Sequence, residues 1–251
     1  PYTLSDLKSR TNQQQLKSDF ILYLNGFSQN VQDIIKRFEF RNQIDKLSEH
    51  DILGLLISKF TDSSVNLSNR PIYDAKGNLV QPALDNHTMG TVFEEVIRKF
   101  NEETNITDAG RHFTPRDIVE LITDLAFVPV KGKIQSTTYR IYDGACGTGG
   151  MLTVAEGRMQ EMAKEFGKNV SIHLYGQENS DETYAIARSD MLVKGEGVQA
   201  NNIFLGSTIP NDGFSGETFD FMLSNPPFGT PWKTDLKACV DIKTVSYTHL
   251  T

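Results

Sequence analysis

Apolar residues recur at helical spacing through the first part of the chain. Between residues 28 and 60, and again over residues 89–100, they fall three or four positions apart, which places their side chains on one face of an α-helix. Residues 61–86 lie between these two regions and are polar and rich in turn-forming residues, so they predict a loop or a short β-hairpin. We therefore expect a helical N-terminal domain over residues 1–108.

After residue 108 the sequence first predicts one more helix, and strand-like segments appear only after it. Residues 113–127 carry apolar positions at helical spacing and a well-marked start. Thr114 is suited to cap the helix, Pro115 suits the first helical position, and Asp117 lies three residues after the predicted cap. The sequence therefore predicts a helix whose N-cap is Thr114.

Between residues 139 and 224, short apolar runs alternate with amphipathic segments. This alternation predicts a parallel β-sheet with helices on its faces, and hence an α/β fold of the Rossmann type. In such sheets ligands bind beyond the C-terminal ends of the strands. The predicted strands cover residues 139–143, 171–176, 201–206 and 219–224, and the predicted helices between them cover residues 149–166 and 181–194.

Composition narrows the class of protein. The 251 residues carry 25 Lys and Arg against 32 Asp and Glu, a net charge of −7, whereas a chain that binds DNA unaided is usually basic. The two cysteines, Cys146 and Cys239, lie in no metal-binding or disulfide pattern, so we expect no metal site. No apolar run has the length of a membrane span, and the polar first residues do not resemble a signal peptide. These features predict a cytoplasmic protein with no membrane partner.

A glycine-rich segment follows the first predicted strand. Residues 142–152 read YDGACGTGGML, and they lack the lysine and hydroxyl that a phosphate-binding P-loop requires. A dinucleotide fingerprint would need a third glycine where Leu152 stands. An acidic residue, Asp143, before a tight glycine turn suits a nucleoside with an amino-acid tail, because a carboxylate binds an ammonium and backbone amides face a carboxylate. The alternative is a plain strand-to-helix connection.

The second predicted strand ends in an acidic residue as well. Glu178 lies 35 residues after Asp143, at the tip of the neighbouring strand, where a carboxylate can bridge the two hydroxyls of a ribose. The residues that follow, 180–182, are typical of a helix start, because acids are favoured there by the helix dipole.

The last predicted strand ends in an Asn-Pro-Pro-Phe sequence. The Asn225 side-chain oxygen and the Pro226 carbonyl are placed to accept the two N–H groups of a planar amine, which leaves its nitrogen lone pair directed at an electrophile. The second proline, Pro227, stiffens this arrangement, and Phe228 can stack on a planar substrate. The alternative is a Pro-Pro turn with a core phenylalanine.

Four stretches together resemble one family. They are RHFTPR at 111–116, YDGACGTGGML, YGQEN at 175–179 and LSNPPFGTPWK at 223–233, and their order is also that family's order. The chain resembles, over roughly residues 10–233, the modification subunit of type I restriction-modification systems, an amino-group DNA methyltransferase. The resemblance implies S-adenosylmethionine as cofactor, adenine N6 in double-stranded DNA as methyl acceptor, and a specificity subunit and a restriction subunit as partners.

The resemblance also assigns roles to matching positions. It implies a methyltransferase domain over residues 109–251, with residues 234–251 as an atypical tail. The target adenine would be held by Asn225, Pro226, Pro227 and Phe228. The cofactor would be bound by Arg111, His112, Phe113, Thr114, Pro115, Arg116, Asp143, Gly147, Thr148, Gly149, Gly150, Glu178 for the ribose, and Ser207 near the adenine ring.

The chain departs from the family at two places. Gly144 stands where the family usually has proline, which should loosen the turn but keep its geometry. Only 22 residues follow Gly229 (251 − 229), too few for the three further strands of such a sheet, so we expect a sheet incomplete at its C-terminus with an exposed edge. Two alternatives therefore stay open: methyl transfer to RNA or protein glutamine, and a truncated, non-catalytic chain that binds only cofactor or partners.

Overall fold

The computed structural model describes residues 3–85, 88–93, 95–96, 99, 114–194, 197–227 and 235. The chain forms two compact units. One comprises Pro1–Phe93 with Val193–Gly195, and the other comprises Glu94–Leu192 with Glu196–Thr251. We call them the helical unit and the sheet unit. The domain boundary predicted near residue 108 lies outside the described residues and stays a prediction.

In the described part of the helical unit, five short helices over residues 4–60 surround an apolar core. The first helix has a complete capping box, in which the Thr3 hydroxyl accepts the Asp6 N–H and the Asp6 carboxylate accepts the Thr3 N–H at 2.8 Å. The core side chains are Leu7, Leu16, Phe20, Leu24, Ile44, Leu53 and Ile57. The helices are α1 (Leu4–Lys8), α2 (Gln13–Asn25), α3 (Gln29–Arg37), α4 (Phe40–Glu49) and α5 (Leu53–Phe60).

The turn-rich segment after α5 forms the predicted hairpin. Strands β1 (Ile72–Tyr73) and β2 (Leu79–Gln81) pair antiparallel. The Asp74 carboxylate accepts the N–H groups of Lys76 and Asn78, both at 2.8 Å, and so closes the turn between them. Residues 88–93 are helical, as the apolar spacing from residue 89 predicts.

The sheet unit follows the predicted alternation closely. Its helices are α6 (Arg116–Phe127), α7 (Gly150–Glu165) and α8 (Asp181–Val193). Its strands are β3 (Thr138–Asp143), β4 (Ser171–Glu178), β5 (Ile203–Leu205) and β6 (Phe221–Met222). The last strand is much shorter than the predicted residues 219–224. The described residues of the unit also form two 3-10 helices, Val128–Lys133 and Gln199–Asn202.

The predicted start of α6 is wrong. The helix begins at Arg116, and Pro115 occupies the N-cap position without any side-chain cap hydrogen bond. Pro115 therefore does not take the first helical position, and Thr114 does not cap the helix. The physical reason is that the Thr114 hydroxyl has another partner, described below, and that Pro115 has an extended ψ of 140° that keeps it outside the helix.

The four strands of this sheet are all parallel and stand in the order β5-β4-β3-β6. The chain runs outward from β3 through β4 to β5 and then returns to the other side of β3. This reversal makes the β3/β6 boundary a topological switch point, and ligands of doubly wound sheets bind in the crevice outside such a boundary. Asp143 ends β3, and Asn225 lies three residues after β6.

Successive side chains of each strand point to opposite faces of the sheet, and the two faces differ in character. Helix α7 packs against β3 and β4, and Ile141, Leu174, Leu152 and Met159 are fully buried in the core on that side. The opposite face carries aromatic side chains in mutual contact, with the Arg140 guanidinium over two of their rings. These aromatic residues are Tyr142, Tyr175, Phe204, Phe214 and Phe219. In the described part of the chain, no helix combines the length and the apolar character that crossing a membrane requires.

Candidate functional site

The glycine-rich segment forms a tight turn between β3 and α7. Gly147 and Gly149 have φ values of 56° and 86°, in the left-handed region that glycine adopts without strain. The Cys146 N–H donates to the Gln177 carbonyl at 3.0 Å, so the turn is tied to the end of β4. Gly149 is the N-cap of α7 and provides no side-chain cap, which leaves amides of the first turn available to an anionic group.

Asp143 lies buried at the base of this turn, with 2% of its surface exposed. Its carboxylate accepts the Ala145 N–H at 3.0 Å. The pKa of Asp143 is raised from 3.8 to about 6, mainly by burial and also by the neighbouring Glu178 charge, while the Ala145 N–H and the Ser224 side chain act in the opposite direction. A buried carboxylate of this kind gains strongly from a cationic ligand, because a nearby positive charge favours its ionised form.

Glu178 links the two strand ends rather than standing apart at the tip of β4. Its Oε2 accepts the Gly147 N–H at 3.0 Å, and its Oε1 accepts the Ser180 N–H at 2.7 Å. Each carboxylate oxygen retains a further lone pair, so both can still accept a ribose hydroxyl. The predicted acidic strand ends are therefore part of one connected arrangement with the glycine turn.

The segment after β5 lies against the same turn. The Thr208 hydroxyl donates to the Gly144 carbonyl, and the Ser207 hydroxyl donates to Asp235 Oδ2 at 3.2 Å. A Cβ atom at position 144 would lie 3.2 Å from the Tyr142 hydroxyl and 3.4 Å from Thr208 Cγ2. Thr208 therefore holds the turn at the position where the chain departs from the family's proline.

Gln177 organises this segment from inside the protein, and sequence reasoning missed it. Its side chain is fully buried, its Nε2 donates to the carbonyls of Gly206 at 3.1 Å and Asn211 at 2.7 Å, and its Oε1 accepts the Gly213 N–H at 3.1 Å. A buried amide with three backbone partners fixes the loop after β5. In the sequence, Gln177 stands beside Glu178 within the YGQEN stretch, and we interpreted it there only as part of the family resemblance.

The Asn-Pro-Pro segment lies next to the glycine turn, because the Leu223 N–H donates to the Tyr142 carbonyl at 3.0 Å and the Ser224 side chain lies close enough to Asp143 to lower its pKa. Asn225 is exposed, and its Nδ2 donates to Thr114 Oγ1 at 3.0 Å. Pro226 and Pro227 are exposed as well. The structure thus brings together Asp143, Ser224, Asn225 and Thr114, of which Ser224 was not predicted.

Several residues that the sequence analysis assigned to the site lie apart from this group, or outside the described part of the chain. Arg116 pairs with Glu120 on its own helix at 3.1 Å. Arg111, His112, Phe113 and Phe228 lie outside the described residues, so their roles stay predictions.

Alanine at position 149 is expected to destabilise the sheet unit by about 1–2 kcal/mol, because alanine pays this torsional penalty in the left-handed region. The nearest atom to the added Cβ would be Ala187 Cβ at 3.7 Å, an ordinary contact, so the backbone torsion alone sets the cost. Gly150→Ala is the matched control, because position 150 is helical and nothing lies within 4 Å of the added atom. Urea unfolding of both variants would measure the difference, and equal stabilities would contradict it.

The chain is similar to known DNA methylases in sequence. The sequence profile of the family described as N-6 DNA Methylase matches residues 84–247, more than half of the 251 residues. The methylase subunit of the type I restriction enzyme MjaIX from Methanocaldococcus jannaschii is 26% identical over 198 residues, which cover 79% of this chain and 30% of that relative. The corresponding MpnII subunit from Mycoplasma pneumoniae is 29% identical over 157 residues, 59% of this chain and 27% of the relative.

The fold is shared with a solved structure of the same kind. The crystal structure of a type I restriction-modification methyltransferase subunit from Streptococcus thermophilus superposes with a TM-score of 0.68 at 18% identity. The match covers 96% of this chain and 47% of that one. The predicted α/β methyltransferase fold is therefore confirmed. The chain spans about a third or less of the length of the two curated relatives.

Proposed function

This chain belongs to the N-6 DNA methylase family, and from that premise we propose that it transfers a methyl group from S-adenosylmethionine to adenine N6 in DNA. The observation that carries the proposal is the junction at the switch point of the sheet. There the segment that presents Asn225 leaves β6 beside the buried Asp143, because the Leu223 N–H donates to the Tyr142 carbonyl at 3.0 Å. The proposed cofactor site and the proposed amine-binding site would then be adjacent, at the edge where such sheets bind ligands.

The residues present fit the cofactor. Asp143 would accept the ammonium of its methionine part, and the first-turn amides of α7 would face its carboxylate. Glu178 would hold the ribose, and Ser207 would lie near the adenine ring. The cofactor supplies an electrophilic methyl group on a positively charged sulfur.

The transfer itself needs alignment and acceptors rather than an enzyme base. Asn225 Oδ1 and the Pro226 carbonyl would accept the two N6–H groups of adenine, which directs the nitrogen lone pair at the methyl carbon. With the cofactor held by these residues, its methyl group would pass to the adenine nitrogen, the S–C electron pair would remain on the sulfur, and the surplus proton would leave to water. Proximity and alignment supply much of the rate. The adenine must first leave the duplex, at a cost of about a few kcal/mol.

We propose further that the chain acts as the modification subunit of a type I system. Its net charge of −7 disfavours unaided binding to DNA, so sequence recognition would fall to a specificity subunit, and a restriction subunit would complete the assembly. The similarity to type I methylase subunits supports these partners. The cytoplasmic location predicted above belongs to the same proposal.

The direct test is methyl transfer to DNA. The protein as its gene encodes it, assembled with a specificity subunit, is incubated with tritiated S-adenosylmethionine and duplex DNA, and the digested nucleosides are separated. We expect label in N6-methyladenine. Label in RNA or in protein glutamine instead would replace the proposal with one of the other acceptors. A folded protein that binds no cofactor would favour the non-catalytic alternative.

A further inference from the structure

One hydrogen bond joins two segments to which the family resemblance gives different roles. Asn225 Nδ2 donates to Thr114 Oγ1 at 3.0 Å, although the two residues stand 111 positions apart in the chain. Thr114 was assigned to cofactor binding, and Asn225 was assigned to the target adenine. The contact therefore connects Thr114 to the acceptor side of the site.

We propose that Thr114 is a positioning residue for Asn225. By accepting the Nδ2–H, its hydroxyl fixes the orientation of the Asn225 side-chain amide and leaves Oδ1 on the side away from Thr114. The amide is planar, so engaging its nitrogen on one side determines where its oxygen points. The identity of the group that Oδ1 then accepts, adenine N6–H, rests on the proposed function.

The rest of the Asn225 surroundings does not fix this orientation. The backbone on either side is restrained by the hydrogen bond from the Leu223 N–H to the Tyr142 carbonyl and by the proline ring of Pro226. The terminal torsion of an asparagine side chain is nevertheless broad and nearly two-fold. Because Asn225 is exposed, core packing does not select one of the two orientations. With the amide reversed, its NH₂ group would face the N6–H donors and the acceptor function would be lost.

Thr114 is well placed to impose the choice, because its own position is rigid. It is followed by Pro115, whose ring fixes φ and whose carbonyl accepts the Val119 N–H at 3.0 Å in the first turn of α6. Val119 is in turn buried in the core of the sheet unit. The Thr114 hydroxyl is thus supported by a helix that the hydrophobic core anchors, which is what a positioning group requires.

The test compares Thr114→Val, which removes the hydroxyl, with Thr114→Ser, which keeps it. In the complete protein with its specificity subunit, Thr114→Val is expected to lower the single-turnover rate of adenine methylation about 10- to 100-fold, the cost of a misplaced reacting group. The Kd for S-adenosylmethionine, measured by calorimetry, should stay unchanged, and Thr114→Ser should restore the rate. Thr123→Val is the matched control, because Thr123 lies buried on α6, the helix that follows Thr114, without a hydrogen-bond partner among the described residues.

Two results would overturn the proposal. One is a Thr114→Val rate equal to that of the wild type. The other is a loss of cofactor affinity large enough to account for the lower rate, which would make Thr114 a cofactor-binding residue instead. If the wild type methylated no adenine, the proposed function would fail separately. The Asn225 side-chain amide signals in NMR spectra would then decide: a change in Thr114→Val that Thr114→Ser reverses supports the contact, and unchanged signals refute it.

Discussion

Asp143→Asn is expected to abolish measurable binding of S-adenosylmethionine at pH 7 and, at the same time, to stabilise the sheet unit. Asparagine has nearly the same shape and can still accept the Ala145 N–H. It cannot provide the negative charge that the ammonium of the cofactor requires. The two effects have opposite signs because the carboxylate is unfavourable in the unliganded protein and favourable in the complex.

The stability gain follows from the raised pKa of Asp143. Burial raises this pKa to about 6, from 3.8 for an exposed aspartate, so the folded state binds the proton more tightly than the unfolded state does. The stability that protonation contributes is complete below pH 3.8 and is lost as the pH rises through about 6. At about 1.4 kcal/mol for each unit of pKa difference, the ionised carboxylate costs about 3 kcal/mol at pH 7. The Asp143→Asn substitution removes this cost.

Urea unfolding at pH 7 and at pH 4 would measure the gain, which should nearly vanish at the lower pH. Asp117→Asn is a suitable control, because Asp117 is exposed in the first turn of α6 and benefits from the helix dipole. Its replacement should lower stability slightly rather than raise it. A stabilised Asp143→Asn protein that still bound the cofactor as the wild type does would contradict the assignment of Asp143 to the ammonium.

The same pKa predicts how cofactor binding depends on pH in the wild type. Above about pH 6 Asp143 is ionised and the affinity should be level. Below that pH the carboxyl must first lose its proton, so the affinity should fall by a factor of about ten for each further pH unit. Calorimetric titrations between pH 4.5 and pH 8 would check this profile, and a flat profile would contradict it.

The order of the sheet elements could be predicted from sequence because each signal is local. The alternation of apolar runs with amphipathic segments placed β3, α7, β4 and α8 to within about two residues. The glycine turn was equally accessible, because only glycine adopts the φ of 86° found at Gly149 without strain. Strand β6 was predicted too long, because strand length depends on pairing with a neighbour, and residues 221 and 222 alone pair with β3.

The connections between elements could not be predicted, because they depend on tertiary geometry. Residues 114–117 carry a good helix-capping pattern, and yet Thr114 bonds to a residue 111 positions away instead of capping α6. Gln177 is a second example, since a polar residue in a strand gives no sign that its amide will hold three backbone groups of a later loop. The sequence identified Asp143 and Glu178 as acidic strand ends. That both lie beside the glycine turn, and that Ser224 lies beside Asp143, could be learned only from the folded structure.

Asn225→Ala is expected to lower the rate of methyl transfer to adenine by about 10²–10³, the loss typical of removing one group that stabilises developing charge. As the nitrogen attacks, it becomes positively charged and its N–H groups become stronger donors, so an acceptor oxygen gains most in the transition state. Alanine leaves only the Pro226 carbonyl to accept a hydrogen bond, and one N–H is then unsatisfied. Single-turnover methylation of a duplex oligonucleotide, with saturating S-adenosylmethionine, would measure the effect.

The affinity for S-adenosylmethionine should distinguish the two variants, because Asn225→Ala is expected to keep it and Asp143→Asn is expected to lose it. Asn225 contacts Thr114 and follows Ser224, but the groups proposed to hold the cofactor, Asp143 and Glu178, keep their hydrogen bonds without it. We therefore expect the Kd for S-adenosylmethionine to change by less than about threefold, which is under 1 kcal/mol. Asn169→Ala, in the exposed loop before β4, is a matched control that should leave both the rate and the Kd unchanged. Methylation by Asn225→Ala at the wild-type rate would exclude Asn225 as the acceptor of the adenine amino group.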